Sequence, residues 1–157
     1  WQYTVSNNNN WAEAATSNFG NTAPTSTHFY VGDPGNGRSN GNETLCMAML
    51  FASANNADGD SISKVGSYSG SGSTVTVTTG FQPRFVIIKR ATGIGQWTTF
   101  DTTRGWAAGN DQLLELNTAV QSNSFDYGEP TATGFTITTG QSATNNDGDT
   151  YVYYAHA

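Results

Sequence analysis

Apolar and polar positions alternate along much of this chain with the period of two that marks β-strands. In STVTVTT at 73–79, Val75 and Val77 fall on one face and Thr74, Thr76 and Thr78 on the other, so one face should be buried and one wet. RFVIIKR at 84–90 is apolar on both sides, with Phe85 and Ile87 opposite Val86 and Ile88. It is expected to lie centrally in a sheet, covered on both faces, with Arg84 and Lys89-Arg90 marking where it surfaces. The same reading predicts strands at 2–5, 28–32, 46–52, 62–68, 97–101, 112–116, 134–138 and 150–156. Clusters of Gly, Asn, Asp and Pro at 69–73, 79–83, 92–95 and 145–149 separate them. Only 11–17 and 116–122 suit short helical turns. Short strands joined by such turns make an all-β fold, an antiparallel β-sandwich or jelly-roll-like unit.

The pattern also repeats. PTSTHF at 24–29 is echoed by PTATGF at 130–135: Pro24, Thr25, Thr27 and Phe29 match Pro130, Thr131, Thr133 and Phe135, and an apolar strand closes both stretches. The spacing implies a unit of about 105 residues. Residues 53–157 hold one complete copy, and residues 1–52 correspond to the C-terminal half of a preceding copy. Half a sandwich leaves an apolar face uncovered. Together with Trp1 in place of a Met, this leads to the expectation that the sequence is a piece of a longer chain of tandem units. Otherwise residues 1–52 should pack on the second unit or on another subunit.

Composition narrows the function classes. Only 11% of residues are charged and the net charge is −6, which argues against a nucleic-acid partner, since phosphate binding draws on clustered Lys and Arg. Three of the six cations, Arg84, Lys89 and Arg90, fall on or beside one strand and read as a solvated face. No apolar run is long enough for a membrane span. Cys46, the single cysteine, sits among apolar residues and reads as a buried thiol.

No cofactor or metal is expected, and the candidate chemistry is sparse. His28 and His156 lie outside any Ser/His/Asp arrangement, and His28 is replaced by Gly134 in the second copy. Asp101, Asp111, Glu115, Asp126 and Glu129 are carboxylates that sequence alone does not pair into a glycosidase. NNADGDS at 55–61 and NNDGDT at 145–150 bring alternating oxygen ligands, with Asp58, Asp60, Asp147 and Asp149 as calcium candidates. Neither completes an EF-hand loop, and the same residues are those a tight hairpin demands, so turns are the favoured reading. Asp101 and Arg104 are close enough to form a structural ion pair. Trp97, Trp106, Phe125 and Tyr127 are the candidates for ligand binding, since aromatic faces beside Asn and Asp suit sugars. Trp106 and Tyr127 are the two expected at the surface.

The block from ISKVGSYSGSGS through GFQPRFVIIKR, the stretch from Trp97 to FDTTRG, the PTATGF turn and the closing TYVYYAHA resembles a repeated β-domain of structural proteins in tailed bacteriophages. That domain is frequent in marine phages, in chains labelled tail-fibre or virion structural proteins. The resemblance covers nearly all of residues 61–157, and TAPTSTHFYVG and MLFA look like the tail of a preceding copy. SANNADGDS at 53–61 departs from it, being longer and more acidic than the usual link between units.

The resemblance implies a virion location and a non-enzymatic structural role, most directly in a tail fibre or spike contacting the host surface through loops 102–111 and 121–130. A capsid decoration or head-fibre protein, and a carbohydrate-binding module attached to a depolymerase, are the alternatives. The implied partners are other virion subunits, as a homo-oligomer with a trimer favoured, and a host-surface glycan.

Overall fold

The computed structural model describes residues 22, 25–32, 45, 48–119, 121–138 and 141–157, with side chains at 121–124 outside the description. The chain divides into two compact units, and the second contains Phe51–Ala157. In the first unit, the described residues 25–32 form no strand. Thr25 Oγ1 accepts from the amides of Thr27 (3.2 Å) and His28 (3.0 Å) and holds a turn there instead.

The second unit is an antiparallel sandwich. Its strands are β1 (Ala54–Asn55), β2 (Ser61–Ser69), β3 (Val75–Thr78), β4 (Phe85–Arg90), β5 (Trp97–Asp101), β6 (Asp111–Glu115), β7 (Gln121–Phe125), β8 (Pro130–Thr131), β9 (Gly134–Ile137) and β10 (Thr150–His156). Seven form one sheet in the order β1-β2-β10-β4-β5-β6-β7, and three form the other in the order β3-β9-β8. The terminal strand β10 therefore lies between β2 and β4. Most of the chain has to be in place before the large sheet closes.

Register assigns the faces, because residues directly opposite across a ladder point the same way. Tyr151, Tyr153 and Ala155 stand opposite Arg90, Ile88 and Val86, and Val86 stands opposite Phe100, which stands opposite Leu113. This row faces Val77, Phe135 and Ile137 of the small sheet, and together they form the core. Aromatic rings fill it: Tyr68 stacks on Tyr151 at 5.2 Å, and Phe135 meets Tyr153 edge-on at 5.5 Å.

The alternation in STVTVTT holds, with Val77 buried and Thr76 and Thr78 exposed. Val86, Ile87 and Ile88 of β4 are buried, as a central strand requires. The expectation that Lys89 and Arg90 surface is overturned. Lys89 is 1% exposed, its ammonium donating to the Arg90 carbonyl at 3.2 Å, and Arg90 turns inward to an ion pair. Strand register places their side chains, not the chain end.

Residues 116–119 form the turn after β6 rather than a helical turn, and β7 begins at Gln121. Residues 48–52 carry no strand. The expected elements at 2–5 and 11–17, and Cys46, lie outside the described residues. The acidic link at 53–61 is built as a hairpin joining β1 to β2. Asn56 Oδ1 accepts from the amides of Asp58 and Asp60, both at 2.9 Å, and the Asn56 amide donates to the Asp60 carbonyl at 2.8 Å.

Candidate functional site

Trp106 and Tyr127 follow strands in connecting segments, and both fold into the core, 1% and 7% exposed. Trp106 lies 5.6 Å from Phe100, which also meets Tyr127 at 5.5 Å, and Trp106 meets Phe135 at 6.1 Å. The expectation that these two rings are surface aromatics is thereby corrected. They fill the gap that the short three-stranded sheet leaves over the longer one.

A buried carboxylate holds that packing. Asp111, fully buried at the start of β6, accepts from the amides of Ala107 (3.2 Å) and Tyr127 (2.7 Å), one through each oxygen. It thus fixes the loop carrying Trp106 and the segment carrying Tyr127. Burial raises its pKa above the usual carboxylate value, the backbone amides of Tyr127, Ala107 and Gly128 pull it back, and the Asp126 charge adds to the rise.

The other two aromatic candidates are not brought together. Phe125 is 49% exposed and meets Tyr127 edge-on at 6.1 Å. Trp97 opens β5 at the opposite end of the sheet, half-buried, in register with Lys89 and therefore on the face away from the core.

The Asp101–Arg104 pair does not form. Asp101 caps a short 3-10 turn, Thr102–Arg104, by accepting from the Thr103 amide at 2.7 Å. The ion pair among the described residues is Arg90 Nη2–Asp149 Oδ2 at 2.5 Å. Asp149 also accepts from Thr92 Oγ1 at 2.7 Å and from Asn146, so this calcium candidate is already engaged. Among the described residues no group of three His, Cys, Asp or Glu is arranged to hold a metal, and no helix is long and apolar enough to cross a membrane.

Among the described residues, an open cleft of about 320 Å³ at the loop end of the sandwich is lined by Gln82, Pro83, Arg84, Thr102 and Pro130. Three separate connections meet there. Arg84 extends β4 backwards: its amide donates to the His156 carbonyl at 2.8 Å, and its carbonyl accepts from the Thr102 amide at 2.9 Å. The turn before it is pinned to the opposite sheet, because the amides of Thr79 and Gly80 both donate to the Thr133 carbonyl, at 2.9 and 3.1 Å. Pro130 stands in register with Phe135 on β9.

The backbone of this cleft is thus held by hydrogen bonds while its polar side chains are left over. Gln82, Arg84 and Thr102 are exposed, and none of their side chains has a hydrogen-bond or ion-pair partner among the described residues. They offer an amide, a guanidinium and a hydroxyl beside the half-buried Pro130, while Pro83 is buried. The lining holds no carboxylate, histidine or cysteine, so it can bind and orient but has no general acid–base pair of its own.

Two of the loops expected to carry contact, 102–111 and 121–130, reach this cleft through Thr102 and Pro130. Gln82 and Arg84 were missed as site residues. In the sequence they are a polar pair around a proline at a strand entrance, and only the register shows that Arg84 lies between the ends of β5 and β10.

The model of a family described as Domain of unknown function (DUF7483) matches residues 2–157, and the chain belongs to that family. No curated protein and no solved structure matches it.

Proposed function

For a member of a family whose description carries no activity, we propose a non-enzymatic structural role in a phage virion: a tail-fibre or spike segment that contacts the host cell surface. The observation that carries this reading is the cleft, where hydrogen-bonded backbone from three connections presents uncommitted donors and no catalytic pair. That is the design of a contact surface on a stiff scaffold. The resemblance of residues 61–157 to a repeated domain of phage structural proteins supports the location. The structured hairpin at 53–61 suits a module used in tandem. Fibre segments of this kind assemble as homo-oligomers, with a trimer as the favoured state, in which loops of several copies would face the host together.

The test is immunogold labelling of intact particles of a phage encoding this chain, with antibody raised against the folded protein. Gold at the tail tip or fibres supports host contact. Gold over the head would replace this reading with that of a decoration protein.

A further inference from the structure

We propose that the cleft formed by Gln82, Pro83, Arg84, Thr102 and Pro130 takes a carboxylate-bearing saccharide, with Arg84 on the carboxylate and Gln82 and Thr102 on the sugar hydroxyls. This rests on the reading of the chain as a surface-contact module and names the ligand class of that contact.

Three observations carry it. First, the cleft offers no ring to stack on, because Trp106 and Tyr127 are spent in the core and the exposed Phe125 is not part of the lining. No aromatic side chain lines the cleft, so recognition there has to come from hydrogen bonds and charge.

Second, Arg84 has no acidic partner. The chain carries 12 acidic and 6 basic residues, so acids outnumber bases two to one. The cation six residues further along, Arg90, is neutralised by Asp149 and donates to the Ile94 carbonyl. Arg84 instead presents its guanidinium at a concave wall without a carboxylate, and a planar guanidinium is the side chain best shaped to hold one in two parallel bonds.

Third, the neighbours suit a sugar better than a bare anion. An amide and a hydroxyl supply both donors and acceptors for ring hydroxyls, and the half-buried Pro130 adds a small apolar edge beside them. A volume of about 320 Å³ sits at the lower end of the range for small-molecule sites, which fits one or two sugar units.

The experiment is an amide-resolved NMR titration of the full chain with galacturonic acid trisaccharide, with neutral galactotriose and with sodium sulfate. Saturable shifts centred on the amides of Gln82, Arg84 and Thr102, given by the acidic sugar at a midpoint at least tenfold lower than by either control, are expected. Arg84→Ala should weaken binding by about tenfold or more, and Arg84→Lys should restore part of it. The Arg84 backbone, not its side chain, is tied into the sheet, so an unchanged melting temperature is expected for both variants. Gln82→Ala is a second variant whose loss of affinity does not depend on charge.

No shift at the cleft with the acidic sugar, or unchanged affinity in Arg84→Ala, overturns the proposal. Equal midpoints for sulfate and the acidic sugar overturn its sugar component. Equal midpoints for the neutral and acidic sugars overturn the acidic class while leaving a glycan-contacting module standing. Gold over the phage head would instead remove the host-contact reading and leave the binding result intact.

Discussion

Arg90 and Asp149 join the end of β4 to the start of β10 through an ion pair of 2.5 Å, with only 20% and 11% of their side chains exposed. Thr92 completes the link, donating from its hydroxyl to Asp149 at 2.7 Å and accepting from the Thr150 amide at 2.9 Å. Space for the guanidinium comes from Gly93, where a Cβ would lie 2.3 Å from Arg90 Cζ. The pair thus fixes where the last strand enters between β2 and β4, and the large sheet depends on that insertion.

The acid limb of stability should report this pair. The Thr92 hydroxyl, Asn146 and Arg90 together hold Asp149 below the usual carboxylate range, against the opposing effect of burial. A carboxylate with a lowered folded pKa contributes stability above its unfolded value and loses it as pH falls through the folded one. Asp149→Asn should therefore cost about 2 kcal/mol at pH 7, as the loss of charge-assisted hydrogen bonds implies. The gap to wild type should close below about pH 4. Thermal melts of both proteins from pH 2 to 7 check this, and a constant gap would show that Asp149 acts by shape alone.

Trp106 carries a large share of the core. It is 1% exposed and touches Phe100 and Phe135. Trp106→Ala should destabilise by about 3–5 kcal/mol, the usual cost of an aromatic cavity. Trp106→Phe should cost less, partly because the buried indole N–H has no hydrogen-bond partner in the fold to lose. Urea unfolding of the two variants measures both, and a near-neutral Trp106→Ala would return this ring to the surface.

Lys89 is a buried ammonium with a single carbonyl acceptor, its pKa lowered by burial and then by the neighbouring Arg90 charge. Replacing such a group with an apolar side chain of similar length removes a desolvation cost. Lys89→Met should be neutral or stabilising by up to about 2 kcal/mol. With a lowered folded pKa the native state binds fewer protons than the unfolded chain, so wild-type stability rises as pH climbs toward the ordinary lysine value. The advantage of Lys89→Met should shrink over that range, as denaturant midpoints at pH 7 and 10 would reveal.

Gly134 sits where no side chain fits. A Cβ there would lie 1.9 Å from the Val77 carbonyl oxygen, and β3 and β9 of the small sheet pair through that residue opposite Thr78. Gly134→Ala should cost about 3 kcal/mol or more by forcing β3 and β9 apart. Circular dichroism melts give the number. The position matched to Gly134 in the earlier stretch is His28, and residues 25–32 form no strand, so the internal echo does not extend to this pairing.

The strands most legible in the sequence were those with a strict alternation or a continuous apolar run: β2, β3, β4, β5, β9 and β10 all lie where the pattern puts them. β7 and β8 were missed because QSNSF and Pro-Thr carry no alternation. Each exists by pairing with a neighbour, β6 or β9. At 28–32 the expected strand is absent: the described residues 25–32 are held in a turn by Thr25 Oγ1 instead.

At the site level the sequence singled out aromatic residues, and the structure used two of them as core. Ring size and loop position do not say which way a side chain turns; the space between the two sheets does. Asp101 and Arg104 were close in sequence, yet the carboxylate found a nearer donor in the Thr103 amide.

By itself the sequence determined the all-β class, the central place of β4 and the turns between strands, because these depend on local period and on residues two to eight apart. Only the tertiary structure decided that β10 inserts between β2 and β4, that Arg90 meets Asp149, and that Gln82, Arg84, Thr102 and Pro130 share a cleft. Those groupings join residues up to 93 positions apart, Ser63 to His156. They arise from strand order and register, which the packing of two unequal sheets selects and no local pattern encodes.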